Sequence, residues 1–160
     1  MMKKGWARVL VPDVLVPSVM AVDPRLLERH GLLVVDLDNT LVFPETLESP
    51  KPVAQWLKEV SRSLRVLCVS NSPSVRQRSA DIERLFGCAV VVGFGKKPSA
   101  RLFEEILRLA TVPPEQIVVI GDRLLTDVVF GNRGGATTIL VQPLSPREPL
   151  LIRVVRVLER

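Results

Sequence analysis

Five short runs of branched aliphatic residues, at 32–37, 65–69, 89–92, 116–120 and 137–141, alternate along the chain with stretches of helical period. Each run is almost continuously apolar, so both of its faces must be covered. The intervening stretches supply the covers. In 52–64 the apolar positions Val53, Trp56, Leu57, Val60 and Leu64 repeat at helical spacing, and 99–110 does the same with Leu102, Phe103, Ile106, Leu107 and Leu109. A weaker pattern runs through Val75, Ile82, Leu85 and Phe86, and a short one follows Asp122 with Leu124, Leu125, Val128 and Val129. Strands separated by helices cannot pair as tight hairpins; they pair in parallel with crossover helices. The expectation is one α/β domain with a mostly parallel five-stranded sheet and helices on both faces. An N-terminal arm over 1–30 precedes a core at 31–142, and a C-terminal helix occupies 143–160.

With 160 residues, 47% hydrophobic and 24% charged, the chain has globular composition and room for one core. A net charge of +5 favours an anionic partner, whether nucleic acid, anionic lipid or a small phosphorylated substrate. Cys68 and Cys88 each sit in an apolar run and read as small buried hydrophobes of a reducing interior. The single histidine, His30, precedes Gly31 and reads as a helix-terminal residue, so no histidine metal cluster exists. No apolar stretch reaches the roughly 18 residues needed to cross a bilayer. Pro12 and Pro17 interrupt the N-terminal apolar region, which makes a poor signal peptide. A cytoplasmic protein is expected.

On an open parallel sheet, ligands bind beyond the carboxyl ends of the strands. Four polar clusters fall there: Asp36-Leu-Asp-Asn-Thr40, Ser70-Asn71-Ser72, Gly95-Lys-Lys-Pro98 and Gly121-Asp-Arg-Leu-Leu-Thr-Asp127. All three asparagines, Asn39, Asn71 and Asn132, sit in these features or in the Gly131–Gly135 stretch. Such a set suits phosphoryl transfer. A carboxylate can attack phosphorus and split one hard displacement into two easier ones. Carboxylates from two strands can hold magnesium, a second carboxylate can shuttle the proton, and a hydroxyl and a lysine can steady the phosphoryl oxygens.

The four clusters, in this order and spacing, resemble the motifs of the haloacid dehalogenase (HAD) superfamily of phosphohydrolases. The resemblance implies Asp36 as nucleophile, Asp38 as general acid/base and Lys97 as the charge-stabilising lysine, with Lys96 the competing choice. It implies Thr40, Ser70 and Asn71 around the phosphoryl group. Magnesium would be held by Asp36, the Asp38 carbonyl and Asp122, with Asp127 orienting or completing the shell. Each residue alone also has an ordinary reading: Asp36 as a strand-end cap, Thr40 as a turn residue, Ser70-Asn71 as loop, Lys96-Lys97 as a solvated pair. Gly93-Phe-Gly-Lys-Lys97 lacks P-loop spacing, and no Gly-x-Gly-x-x-Gly occurs. Gly131-Asn-Arg-Gly-Gly135 reads as a turn entering the last strand, with Arg133 a candidate for a second anionic group on the substrate.

Only 42–51 lies between the first cluster and the first helix, and 73–95 is used up by one helix and one strand. A large cap domain does not fit, so the site suits a phosphate projecting from something large. The chain is further similar to the YqeG-type branch of the superfamily, which includes mitochondrial phosphatidylglycerophosphate phosphatases. That similarity is carried by 10–19, 35–42, 121–128 and 131–134. It implies removal of the terminal phosphate from phosphatidylglycerophosphate at an anionic membrane surface. The first 20 residues, with Lys3, Lys4 and Arg8 among apolar side chains, and the basic amphipathic stretch 147–160 have a composition able to lie on such a surface, or to pack on the sheet. Two alternatives stay open: a soluble or protein-borne phosphate as substrate, and a low-turnover RNA- or ribosome-binding role served by the +5 charge. Nucleic acid is the less favoured partner, because a retired enzyme has little reason to keep Asp38.

Overall fold

The computed structural model describes residues 5–145. In chain order, a short helix α1 (Trp6–Val9) leads to strand β1 (Val14–Val16), a 3-10 turn (Val19–Ala21) and helix α2 (Pro24–Glu28). The core follows as β2 (Leu32–Asp36), α3 (Lys51–Val60), β3 (Arg65–Val69), α4 (Val75–Phe86), β4 (Ala89–Val91) and α5 (Ala100–Ala110). It closes with β5 (Ile117–Gly121), a π-helical turn (Leu124–Val128), α6 (Val129–Gly134) and β6 (Thr137–Val141). The six strands form one sheet in the order β1-β6-β5-β2-β3-β4, and every ladder is parallel. β2 lies at the centre, with Val34 opposite Leu67 of β3 and Val119 of β5.

Strand alternation divides the core between the two faces. Leu33 and Val35 of β2 join Val53 and Leu57 of α3 and Ile82 and Phe86 of α4. Leu32 and Val34 face the other way, toward Leu102, Phe103 and Ile106 of α5 and Phe130 of α6. Phe103 and Phe130 meet edge to face at 5.2 Å, and a Cβ on Gly134 would fall 2.2 Å from the Phe103 ring, so only glycine lets α6 approach that closely. Local chemistry punctuates the helices. Ser99 caps α5 by accepting from the Leu102 amide, and Gly87, at φ 69°, ends α4 in the left-handed conformation that favours glycine.

The expected single α/β domain is present, with a sixth strand added. Three residues of the arm form β1 at the sheet edge, with Val14 opposite Ile139. Long-range polar ties hold them. Thr138 donates its amide to Asp13 Oδ2 (2.9 Å), and the Asp13 amide donates to the Thr138 carbonyl (3.0 Å). Asn132 Nδ2 lies within 2.9–3.2 Å of the carbonyls of Arg8, Val9 and Val11. Three residues are too short a run to read as a strand by pattern alone, and pairing with β6 creates it. Residues 131–134 are likewise the last turn of α6, and Gly135 (φ 87°) is the turn proper.

His30 lies just beyond α2, with Nδ1 2.7 Å from the Leu26 carbonyl and Nε2 3.1 Å from Thr137 Oγ1, a structural post far from the strand ends that carry the motifs. Cys68 and Cys88 are buried and unbridged, with sulfurs 3.2 Å apart. Among the described residues no helix is long and apolar enough to cross a membrane, and no cap domain occurs. Of the C-terminal helix expected over 143–160, residues 143–145 are not helical, and the remainder with its basic face lies outside the described residues.

Candidate active site

Each motif sits where a strand ends. β2 delivers Asp36 and then turns sharply: the Leu37 carbonyl accepts the amides of Thr40, Leu41 and Val42, and Asn39 takes φ 65°. That turn is how two carboxylates two residues apart reach one pocket. Thr40, buried, donates its hydroxyl to Asp36 Oδ2 (3.3 Å), so it orients Asp36 and does not line the pocket. Asn39 is a tether, its carbonyl accepting from the Leu144 amide and its Oδ1 from the Ser145 amide.

Lys97 resolves the choice between neighbouring lysines. Lys96 is exposed, whereas Lys97 is buried and places Nζ 2.6 Å from Asp36 Oδ1 and 2.5 Å from Asp127 Oδ1. Its backbone is held from β3. Asn71 Oδ1 accepts the Lys97 amide (2.8 Å) and Asn71 Nδ2 donates to the Lys97 carbonyl (2.9 Å), which occupies the side chain expected at the phosphoryl group. Asn71 is therefore the device that aims the lysine.

Asp122 follows β5, and the π-helical turn brings Asp127 back beneath it, where Asp127 Oδ2 accepts the Arg123 amide (3.1 Å). Asp127 fits only because residue 121 is glycine: a Cβ there would lie 2.2 Å from its carboxyl carbon. Ligand oxygens of Asp36, Asp122 and Asp127 lie within 4.8 Å of one another. Asp122 Oδ1 is buried without a hydrogen-bond partner. Burial, then the neighbouring charges of Asp36 and Asp127, push the Asp122 carboxyl up to about 8. Burial also raises Asp127, to about 6, although Lys97 pulls it back. For Lys97 burial opposes the charge, but Asp127 and Asp36 outweigh it and hold the ammonium well above the usual lysine range.

Asp38 has different company. Its Oδ1 accepts the Glu45 amide (2.8 Å), and its Oδ2 accepts from Ser70 Oγ (2.9 Å) and from Arg78 Nη2 (2.9 Å). Burial works against the charge, but Arg78, the Glu45 amide and Ser70 prevail and hold this carboxyl below the ordinary range. Arg78 and Glu45 escape a motif reading. Arg78 did leave a signal, since it occupies the apolar stripe of α4 between Val75 and Ile82, where a charge demands a buried partner. Leu85, read as part of that stripe, is 53% exposed. Glu45 sits at φ 59° and accepts from the hydroxyls of Ser72 and Ser74, clasping the loop after β2 to the loop after β3.

Asp36, Asp38, Ser70, Asn71 and Lys97 line one pocket of about 190 Å³, with Glu45, Arg123 and Thr126 at its rim. Arg133 is not among the lining residues. It lies in the last turn of α6, exposed, on the way to the start of β6 and so toward the opposite end of the sheet.

A family model described as mitochondrial PGP phosphatase matches residues 6–144. The chain is 32% identical over 159 residues to "Probable phosphatase YqeG" of Bacillus subtilis (strain 168), covering 96% of this chain and 89% of that one. It is 33% identical over 166 residues to the chloroplastic "Phosphatidylglycerophosphate phosphatase 1" of Chlamydomonas reinhardtii, covering 97% of this chain but 61% of that longer protein. A solved HAD family hydrolase from Deinococcus radiodurans R1, described with bound phosphate and sodium, shares the fold at a TM-score of 0.51 and 15% identity, over 81% of this chain and 89% of that one. The chain belongs to the mitochondrial PGP phosphatase family, a HAD-fold phosphoric monoester hydrolase.

Proposed function

We propose that the protein hydrolyses a phosphomonoester through an aspartyl-phosphate on Asp36, with magnesium as cofactor and phosphatidylglycerophosphate as the favoured substrate. The observation that carries this reading is Lys97 Nζ in contact with both Asp36 and Asp127 beside a buried, unpartnered oxygen of Asp122. Two of the three clustered carboxylates share one ammonium while the third lacks a donor, and the donors are all oxygen, a set that fits a hard divalent cation. Asp36, Asp122 and Asp127 would hold it. Bound there, the ion supplies charge neutralisation for an anionic substrate.

In the first half-reaction an Asp36 oxygen bonds to phosphorus. The bond from phosphorus to the leaving oxygen breaks, that oxygen keeps the electron pair, and it takes a proton from Asp38, whose carboxylate first receives that proton from the monoanionic phosphate ester. In the second, water attacks phosphorus and passes a proton to Asp38, which frees Asp36 and inorganic phosphate. Lys97 and Ser70 steady the phosphoryl oxygens.

Several features support a lipid substrate and a peripheral place on the inner face of the cytoplasmic membrane. Relatives are named for phosphatidylglycerophosphate. The pocket opens without a cap. At its rim Arg123 is exposed and has no ion pair among the described residues, a cation available to a second anionic group such as a phosphodiester. Leu47 (39% exposed) on the loop after β2 and Leu125 (62%) on the π-helical turn belong to segments that also supply the lining residues Glu45 and Thr126. Phosphate release from phosphatidylglycerophosphate in vesicles, with magnesium and with Asp36→Asn as control, tests the reading. Turnover of soluble esters alone, with vesicle substrate untouched, would remove the lipid assignment and leave the chemistry.

A further inference from the structure

Arg78 has no part in the phosphoryl chemistry above, yet among the described residues it is the most heavily hydrogen-bonded cation outside the Lys97 cluster. It is 8% exposed on a helix whose other buried positions are Ile82 and Phe86. All three of its nitrogens are used: Nε donates to Ser74 Oγ (2.8 Å), Nη1 to the Thr46 carbonyl (2.9 Å) and Nη2 to Asp38 Oδ2 (2.9 Å). The guanidinium is thus braced on two loops before it touches Asp38. A buried arginine costs desolvation that packing alone does not return, and a leucine would complete the α4 stripe without that cost. Its planar fork, unlike a lysine's point charge, fixes direction as well as charge.

We propose that Arg78 is a positioning residue that aims the Asp38 carboxyl at the leaving oxygen. The inference rests on the phosphatase reading, in which Asp38 carries the proton. The step concerned is the first half-reaction, where the Asp38 proton goes to the leaving oxygen as its bond to phosphorus breaks. Neither Ser70 nor the Glu45 amide can replace Arg78. In the proposed mechanism Ser70 also serves the phosphoryl oxygens, and the amide constrains only the other oxygen of Asp38.

Leaving groups differ in their need for that proton. An alkoxide needs it, whereas p-nitrophenolate departs largely unaided. The test compares kcat/KM, which reports events through transfer to Asp36, for an alkyl phosphate and for p-nitrophenyl phosphate. In Arg78→Gln the alkyl phosphate is expected to lose at least about tenfold more than the aryl one, mainly in kcat, with Arg78→Lys intermediate. If Arg78→Gln does not fold, Arg78→Lys carries the same comparison. Added to Asp38→Asn, Arg78→Gln is expected to cause no further selective loss. Equal losses for both substrates, no loss, or an additional alkyl-selective loss in the Asp38→Asn background would overturn the proposal. Wild-type protein inactive on both esters and on phosphatidylglycerophosphate in vesicles, or Asp36→Asn still active, would instead overturn the phosphatase reading beneath it.

Discussion

The Lys97 side of the pocket and the Arg78 side each set one cation among carboxylates, yet only one of them is balanced. Around Lys97 stand Asp36, Asp122 and Asp127, and one buried oxygen of Asp122 has no donor. Around Arg78 every oxygen of Asp38 has at least one donor, and the more distant Glu45, 4.0 Å away, is served by two serine hydroxyls. In the proposed function the first cluster takes up charge that comes from outside. The second is complete in itself and serves geometry.

The largest effect is expected on the incomplete side. Asp36→Asn should lower phosphatase activity by roughly a thousandfold or more, measured as phosphate release at saturating substrate, because an amide in place of the proposed nucleophile cannot form the acyl phosphate. Substantial residual turnover would mean that the two sides have been assigned the wrong way round.

On the complete side the main cost is to stability. Arg78→Leu leaves Asp38 half-buried without its ion pair, and a loss of about 3–5 kcal/mol in chemical denaturation is expected, as for other broken buried pairs. A loss below about 1 kcal/mol would show that Ser70 and the Glu45 amide suffice.

The pH dependence should have opposite sign on the two sides. The folded-state value of Asp122, about 8, lies above its unfolded value, so without a cation the folded protein retains a proton that the unfolded chain has released. Stability is then lost as pH rises from the ordinary carboxylate range toward 8, and Asp127 adds to this up to about 6. Asp38, held low, contributes stability that is present above its unfolded value and lost only as pH falls through its lowered one. Thermal unfolding in chelator should show a melting temperature falling by several degrees between pH 5 and 8, and magnesium should abolish the fall. A melting temperature rising over that interval in chelator would contradict the surplus of negative charge.

The smallest effect lies away from both clusters. Asn132→Ala removes the amide that gathers the carbonyls of Arg8, Val9 and Val11, and a cost of about 1–3 kcal/mol without change in kcat is expected. A fall in kcat would show that the arm reaches the pocket.

Much of this was legible in the residues. The strand-like runs at 32–37, 65–69, 116–120 and 137–141 are close to β2, β3, β5 and β6, because a segment buried on both faces has little choice but to be apolar throughout. Asp36, Asp38, Lys97, Asp122 and Asp127 converge because the carboxyl ends of parallel strands share one edge of the sheet. Thr40 and Asn71 were placed at the substrate but serve Asp36 and Lys97, since side-chain direction follows from the turn after β2 and from the loop facing β4, neither of which periodicity encodes. Arg133 was drawn toward the site by its charge, and the course of α6 carries it away.

Local pattern and the spacing of polar groups after each strand were enough to determine the α/β class, the single domain and the carboxylates that gather at the strand ends, with a lysine from the Lys96-Lys97 pair. Only the tertiary structure decided which of two adjacent lysines turns inward, that three arm residues become an edge strand, and that an arginine on α4 and the backbone of Glu45 hold Asp38. The physical reason is range. Periodicity and motif spacing report interactions along the chain or between neighbouring strands, whereas a buried cation takes its partners from segments about 30 to 60 residues away, whose meeting depends on the whole fold.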